Sequence, residues 1–65
     1  MTHFNSLPNA LNRYAHAYEN TGADWDEAMD AAEIMLKKLR KEFPNLTDYE
    51  LAQSLDIAAE EYRDI

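Results

Sequence analysis

Apolar residues recur at helical spacing in three segments of this chain, and turn-forming residues separate them. In the first, Leu7, Leu11, Tyr14 and Tyr18 fall at i, i+4, i+7 and i+11, and Ala10 and Ala17 widen the stripe. A helix over about residues 7–20 follows. Ser6 or Asn5 is placed to cap its start, Pro8 fits the first turn where a missing N–H costs nothing, and Asn20-Thr21-Gly22 supplies the stop. His16 points away from the stripe.

The second segment opens on Asp24-Trp25-Asp26-Glu27, an N-terminal signal in which Asp24 caps amide groups and Glu27 lies in the same turn. At 100° per residue, Trp25, Ala28, Met29, Ala32, Met35, Leu36, Leu39 and Phe43 share one face of a helix over about residues 25–42. Ile34 is expected opposite them, exposed among Glu27, Asp30, Lys37, Lys38 and Lys41. The acids come early and the bases late, which suits the helix dipole, and Glu33 and Lys37 have the spacing of a favourable i,i+4 pair.

Pro44 ends this helix, and Thr47-Asp48-Tyr49-Glu50 has the form of a second capping box, opening a third helix over about residues 48–63. Its inward face is Leu51, Ala52, Leu55, Ala58, Ala59 and Tyr62, with alanines that let a neighbouring helix approach closely. Ile57 falls on the other side among Glu50, Gln53, Glu60, Glu61 and Asp64, with Tyr49 on the flank. No strand alternation, internal repeat or low-complexity stretch interrupts the pattern. The fold expected is all-α, a small three-helix bundle forming a single domain over residues 1–65, with residues 1–5 frayed.

Length sharpens this picture. A chain of 65 residues buries only about 60% of its unfolded surface, and with no cysteine and two histidines it has neither a disulfide nor the usual zinc ligand set to supplement its core. Close helix packing, or association with another copy, has to compensate. A homodimer sharing Tyr62, Ile65 and the Ala52/Ala59 side is one such expectation.

Charge narrows the function. The formal net charge is −7, which disfavours phosphate backbones and anionic membranes and favours a protein partner with a basic surface. No run approaches the roughly 20 apolar residues of a bilayer span, and the first residues lack the basic flank and apolar core of a signal peptide. A cytoplasmic location is the default expectation.

The stretch Glu50-Leu51-Ala52-Gln53-Ser54-Leu55-Asp56-Ile57 resembles the first helix and turn of the helix-turn-helix family, with the small Ala52 where two helices would cross. That resemblance implies a DNA reader. The family's next helix offers basic and amide side chains to bases and phosphates, whereas Ala58, Ala59, Glu60, Glu61 and Asp64 follow here, and Asp56 stands where the family's turn has glycine. Residues 47–65 hold six acids against Arg63 alone, which opposes counterion-release binding to DNA. One continuous amphipathic helix accounts for the same spacing. A degenerate helix-turn-helix regulator that uses the basic run Lys37 to Lys41 on phosphates is the alternative reading.

Candidate chemistry is sparse. Counting from Asp24, the calcium-loop positions that need glycine and glutamate hold Met29 and Met35, so the acids Asp24, Asp26, Asp30 and Glu33 read as a helix N-terminus. His3 and His16 lack metal-site spacing. Ser6 and Ser54 have no nearby activating base, and Gly22 alone makes no phosphate loop. No enzyme activity, cofactor or metal is expected. The expectation is a small acidic protein-binding module, a regulator, inhibitor or adaptor. Its binding residues would be Ile57, Glu50, Gln53, Glu60, Glu61, Asp64, Tyr49 and Ile34.

Overall fold

The computed structural model describes residues 6–63 and shows three helices: α1 Leu7–Tyr18, α2 Trp25–Glu42 and α3 Asp48–Arg63. The all-α three-helix bundle expected from the apolar periodicity is the fold observed. Residues 1–5, Asp64 and Ile65 lie outside the described residues.

Local chemistry sets each helix start. The Asn9 N–H donates to Ser6 Oγ at 3.4 Å, with Pro8 in the first turn of α1, and the Glu27 N–H donates to Asp24 Oδ1 at 2.9 Å. At α3 the box closes in both directions: the Thr47 N–H donates to Glu50 Oε1 at 2.9 Å and the Glu50 N–H to Thr47 Oγ1 at 3.2 Å. Such caps satisfy amides that a helix leaves without internal partners.

The end of α1 differs slightly from the expected helix over 7–20. After Tyr18 the chain tightens into a 3-10 turn, Glu19–Thr21, and stops at Gly22, whose φ of 98° is open to glycine without strain. The Thr21 hydroxyl donates to the Tyr18 carbonyl at 2.9 Å, and Asn20 Nδ2 donates to the Tyr62 carbonyl at 3.0 Å, tying this corner to the end of α3.

α1 is the centre of the bundle; it packs extensively on α3 and on α2, which touch each other only sparingly. Its buried residues therefore spread over both flanks of the apolar stripe: Ala10 and Ala17 on one, Ala15 on the other, with Tyr14 between. Ala15 is outside the stripe that spacing alone marks out. It is buried because α1 has two neighbours rather than one.

The core is built mainly from small side chains. Ala10, Ala15, Ala28, Ala32, Ala52 and Ala59 are completely buried, and Leu55 is the largest side chain fully enclosed. Leu7, Leu11, Met35, Leu36 and Leu46 pack against this centre while remaining half-buried. Close approach of backbones thus replaces bulk, the consequence of having so few residues with which to cover a core.

Two positions expected on the inward face of α2 are outside it: Trp25 is 38% exposed and Phe43 51%. Trp25 begins the helix and reaches past the core, where its ring lies 4.7 Å from that of His16. Phe43 follows the last helical residue with φ −133°, so the helical spacing no longer governs where its side chain goes. The Glu33–Lys37 pair does not close either. The described ion pairs are Arg13–Asp56 and Arg40–Asp48, and His16 Nδ1 lies 3.5 Å from Glu19 Oε1.

Candidate protein-binding surface

Burial of Leu51, Ala52, Leu55 and Ala59 fixes the rotation of α3 and leaves Ile57 on its outward side, 68% exposed. Gln53 and Glu61 lie one turn before and after it at i−4 and i+4, and Glu60 lies at i+3; all three are exposed. Tyr49 is 53% exposed on the flank, and its hydroxyl accepts a hydrogen bond from Gln53 Nε2 at 3.2 Å. That bond holds the amide and the ring together along one edge of the face.

The expected binding residues are not equivalent. Glu50 is exposed, but its carboxylate is already engaged by the Thr47 N–H and by the Thr47 hydroxyl at 3.2 Å, so it serves the helix start. Glu60 and Glu61 make no ion pair among the described residues and keep their charge available. Asp64 lies outside the described residues. Ile34, 66% exposed, belongs to α2 and to that helix's own charged surroundings. Ile57, Gln53, Glu60 and Glu61, with Tyr49 at the edge, are the residues α3 brings together.

Asp56 has a structural role that its place in the helix-turn-helix resemblance hides. α3 runs unbroken from Asp48 to Arg63, so the turn implied at Asp56 is not formed. Its carboxylate instead receives Arg13 Nε at 2.8 Å and Arg13 Nη2 at 3.0 Å, a two-pronged ion pair between α1 and α3. The hydrogen bond to Asp56 raises the Arg13 pKa above its ordinary value against the opposing effect of burial. Arg13 sits beside Ala10 and Ala17 on α1, and Asp56 beside Ala52 and Ala59 on α3, at three- and four-residue spacings. The small residues of the two helices therefore meet beneath the pair.

Of the dimer surface expected from sequence, Ala52 and Ala59 are wholly buried within the chain and are not left for a second copy, Tyr62 is half-buried in a ring cluster, and Ile65 lies outside the described residues. Tyr62 lies edge-on to Tyr14 at 5.6 Å and to Tyr18 at 5.1 Å, while Tyr14 and Tyr18 stack at 6.3 Å. Burial, and after it the Tyr62 hydroxyl, push the Tyr14 phenol well above its usual value.

The hydrophobic pattern put Tyr14, Tyr18 and Tyr62 on inward faces without showing that they meet, and it did not reveal the Arg13–Asp56 pair. The only signal was opposite charge just off the apolar stripes of α1 and α3, and it becomes informative only once those helices are known to be neighbours. Among the described residues the surface holds no pocket, no three His, Asp or Glu side chains converge as metal ligands, and no helix is long and apolar enough to cross a membrane. No protein family, curated protein or solved structure matches the chain.

Proposed function

We propose that this protein is a small, non-enzymatic binding module, a regulator, inhibitor or adaptor, whose α3 face engages a basic surface on a larger protein. The observation that carries the reading is Ile57, an apolar side chain 68% exposed at the centre of a face edged by Gln53, Glu60 and Glu61. Burying an isoleucine is worth about 1.5–3 kcal/mol, whereas an exposed ion pair adds about 0.2–1 kcal/mol. The anchor supplies the hold; the carboxylates steer the encounter and select a basic partner.

A sharper form of the same reading has the carboxylates standing where phosphates would, so that the module occupies a nucleic-acid site on its partner. The net charge of −7 favours that role over direct DNA binding. The setting we propose is the cytoplasm, in keeping with a chain that has no cysteine.

The test is affinity purification from the native host with the wild-type chain and with Ile57→Lys, followed by identification of the captured proteins. A basic protein held by the first and lost by the second supports the reading; equal capture by both overturns it. Competition by DNA or RNA for the purified partner supports the sharper form, and simultaneous binding sinks it. A mobility shift of DNA by this protein alone at low salt would replace the reading with direct nucleic-acid binding.

A further inference from the structure

We infer that the outward face of α2 is a surface for a second copy of this chain, the two helices running antiparallel with their Ile34 side chains in contact. This inference is independent of the role proposed for α3, because it uses different residues on a different helix.

Ile34 is 66% exposed on the side of α2 turned away from Ala28, Ala32 and Leu39. Around it the charge is divided along the helix. Glu27 and Asp30 lie seven and four residues before it; Lys37 and Lys41 lie three and seven residues after it, and Lys38 flanks them. All five are exposed and make no ion pair among the described residues. Of the six Lys and Arg residues in the chain, four lie between positions 37 and 41.

Such a face complements itself in one orientation. A two-fold axis between the facing Ile34 side chains, perpendicular to both helices, sets the N-terminal half of one α2 against the C-terminal half of the other. At a rise of 1.5 Å per residue, Asp30 lies about 6 Å from the Ile34 level and Lys37 of the second copy about 4.5 Å, on the same side of the face. Glu27 and Lys41 of the second copy each lie about 10 Å from that level, near the middle of the face, with Lys38 within reach. Each attraction occurs twice by symmetry, and the two helix dipoles oppose one another favourably. A parallel pairing would set acid on acid and base on base.

The arrangement closes at two copies, because each copy uses the same face. A single helix-on-helix patch falls below the roughly 1,200 Å² of standard interfaces, so the pairing is weak and reversible, with dissociation in roughly the 10–500 μM range. A net charge of −7 on each copy opposes it at long range. Salt at about 0.1 M, where the screening length is about 10 Å, suppresses that repulsion more than it does the contacts.

Sedimentation equilibrium at about 0.1 M salt and up to about 1 mM protein tests the inference. Wild type is expected to reach a dimer and no higher species. Ile34→Asp, Asp30→Lys and Lys37→Asp are each expected to weaken it at least about tenfold with helicity unchanged, since all three positions are exposed. The double variant Asp30→Lys with Lys37→Asp should recover association, and an equimolar mixture of the two single variants should form a mixed dimer. A monomeric wild type throughout the range overturns the inference. So does undiminished pairing by Lys37→Asp, failure of both the double variant and the mixture to associate, or pairing lost through Ile57→Lys but kept by Ile34→Asp.

Discussion

Arg13 holds both carboxylate oxygens of Asp56, at 2.8 and 3.0 Å, joining helices whose partner residues are 43 positions apart in the chain. The pair lies half-exposed over the alanines through which α1 and α3 meet, so it acts on the alignment of the two helices as well as on their attraction. Two fixed hydrogen bonds specify an angle in a way that one flexible ammonium cannot. A double-mutant cycle of Arg13→Ala and Asp56→Ala in urea unfolding is expected to give a coupling of about 1 kcal/mol. Arg13→Lys should recover less than half of it; full recovery would show that charge alone matters.

Leu55 is the largest side chain fully enclosed, in a core otherwise dominated by alanine. Leu55→Ala is expected to cost about 2–5 kcal/mol. A 65-residue chain has a total stability of roughly 3–10 kcal/mol, so circular dichroism should find this variant at the edge of folding at room temperature. Ala52→Leu, which forces bulk between α3 and its neighbour, should cost about 1–3 kcal/mol by the opposite route.

The Tyr14 phenol is held above its ordinary value, first by burial and then by the Tyr62 hydroxyl. Its raised folded-state pKa means that the unfolded chain loses this proton first. The associated stability is complete below about pH 10 and declines as pH rises from there through the folded value. Urea midpoints should fall more steeply between about pH 9 and 11 in wild type than in Tyr14→Phe, which lacks the proton. Parallel curves would assign the decline to other groups.

Gly22 carries a φ of 98°, and a Cβ built there would meet nothing within 4 Å. Gly22→Ala is therefore expected to cost only the backbone strain, about 1 kcal/mol, and Gly22→Asn less, because asparagine tolerates the left-handed region. A loss above about 3 kcal/mol in thermal unfolding would point to a contact beyond conformation.

Ile57→Lys should leave the unfolding midpoint nearly unchanged, since an exposed side chain away from caps and core shifts stability by about 0.5 kcal/mol or less. A large loss of stability would make Ile57 a folding residue and remove the basis for treating its face as a binding surface.

What could be read from the chain divides by the range of the interactions involved. Ser6, Asp24 and Thr47 act on amides three residues away, so the helix starts were legible as local chemistry. The outward placement of Ile34 and Ile57 was equally legible, because periodicity fixes the side opposite a buried stripe. It failed where the helix itself ended, at Trp25 and Phe43, and where the number of neighbours mattered, at Ala15. The Arg13–Asp56 pair depends on which helices are adjacent, which no single segment encodes. On the α3 face proposed for binding, the exposure of Gln53, Glu60 and Glu61 around Ile57 was legible from spacing alone, while Glu50 carried two local signals and the capping box took its carboxylate.

The exposed ring of Trp25 lies 4.7 Å, centre to centre, from that of His16, between the start of α2 and the last turn of α1. It is the only tryptophan in the chain. Its emission is therefore a built-in optical gauge of whether those two helices are docked, read without any label and distinct from the α3 face where a partner would be sought.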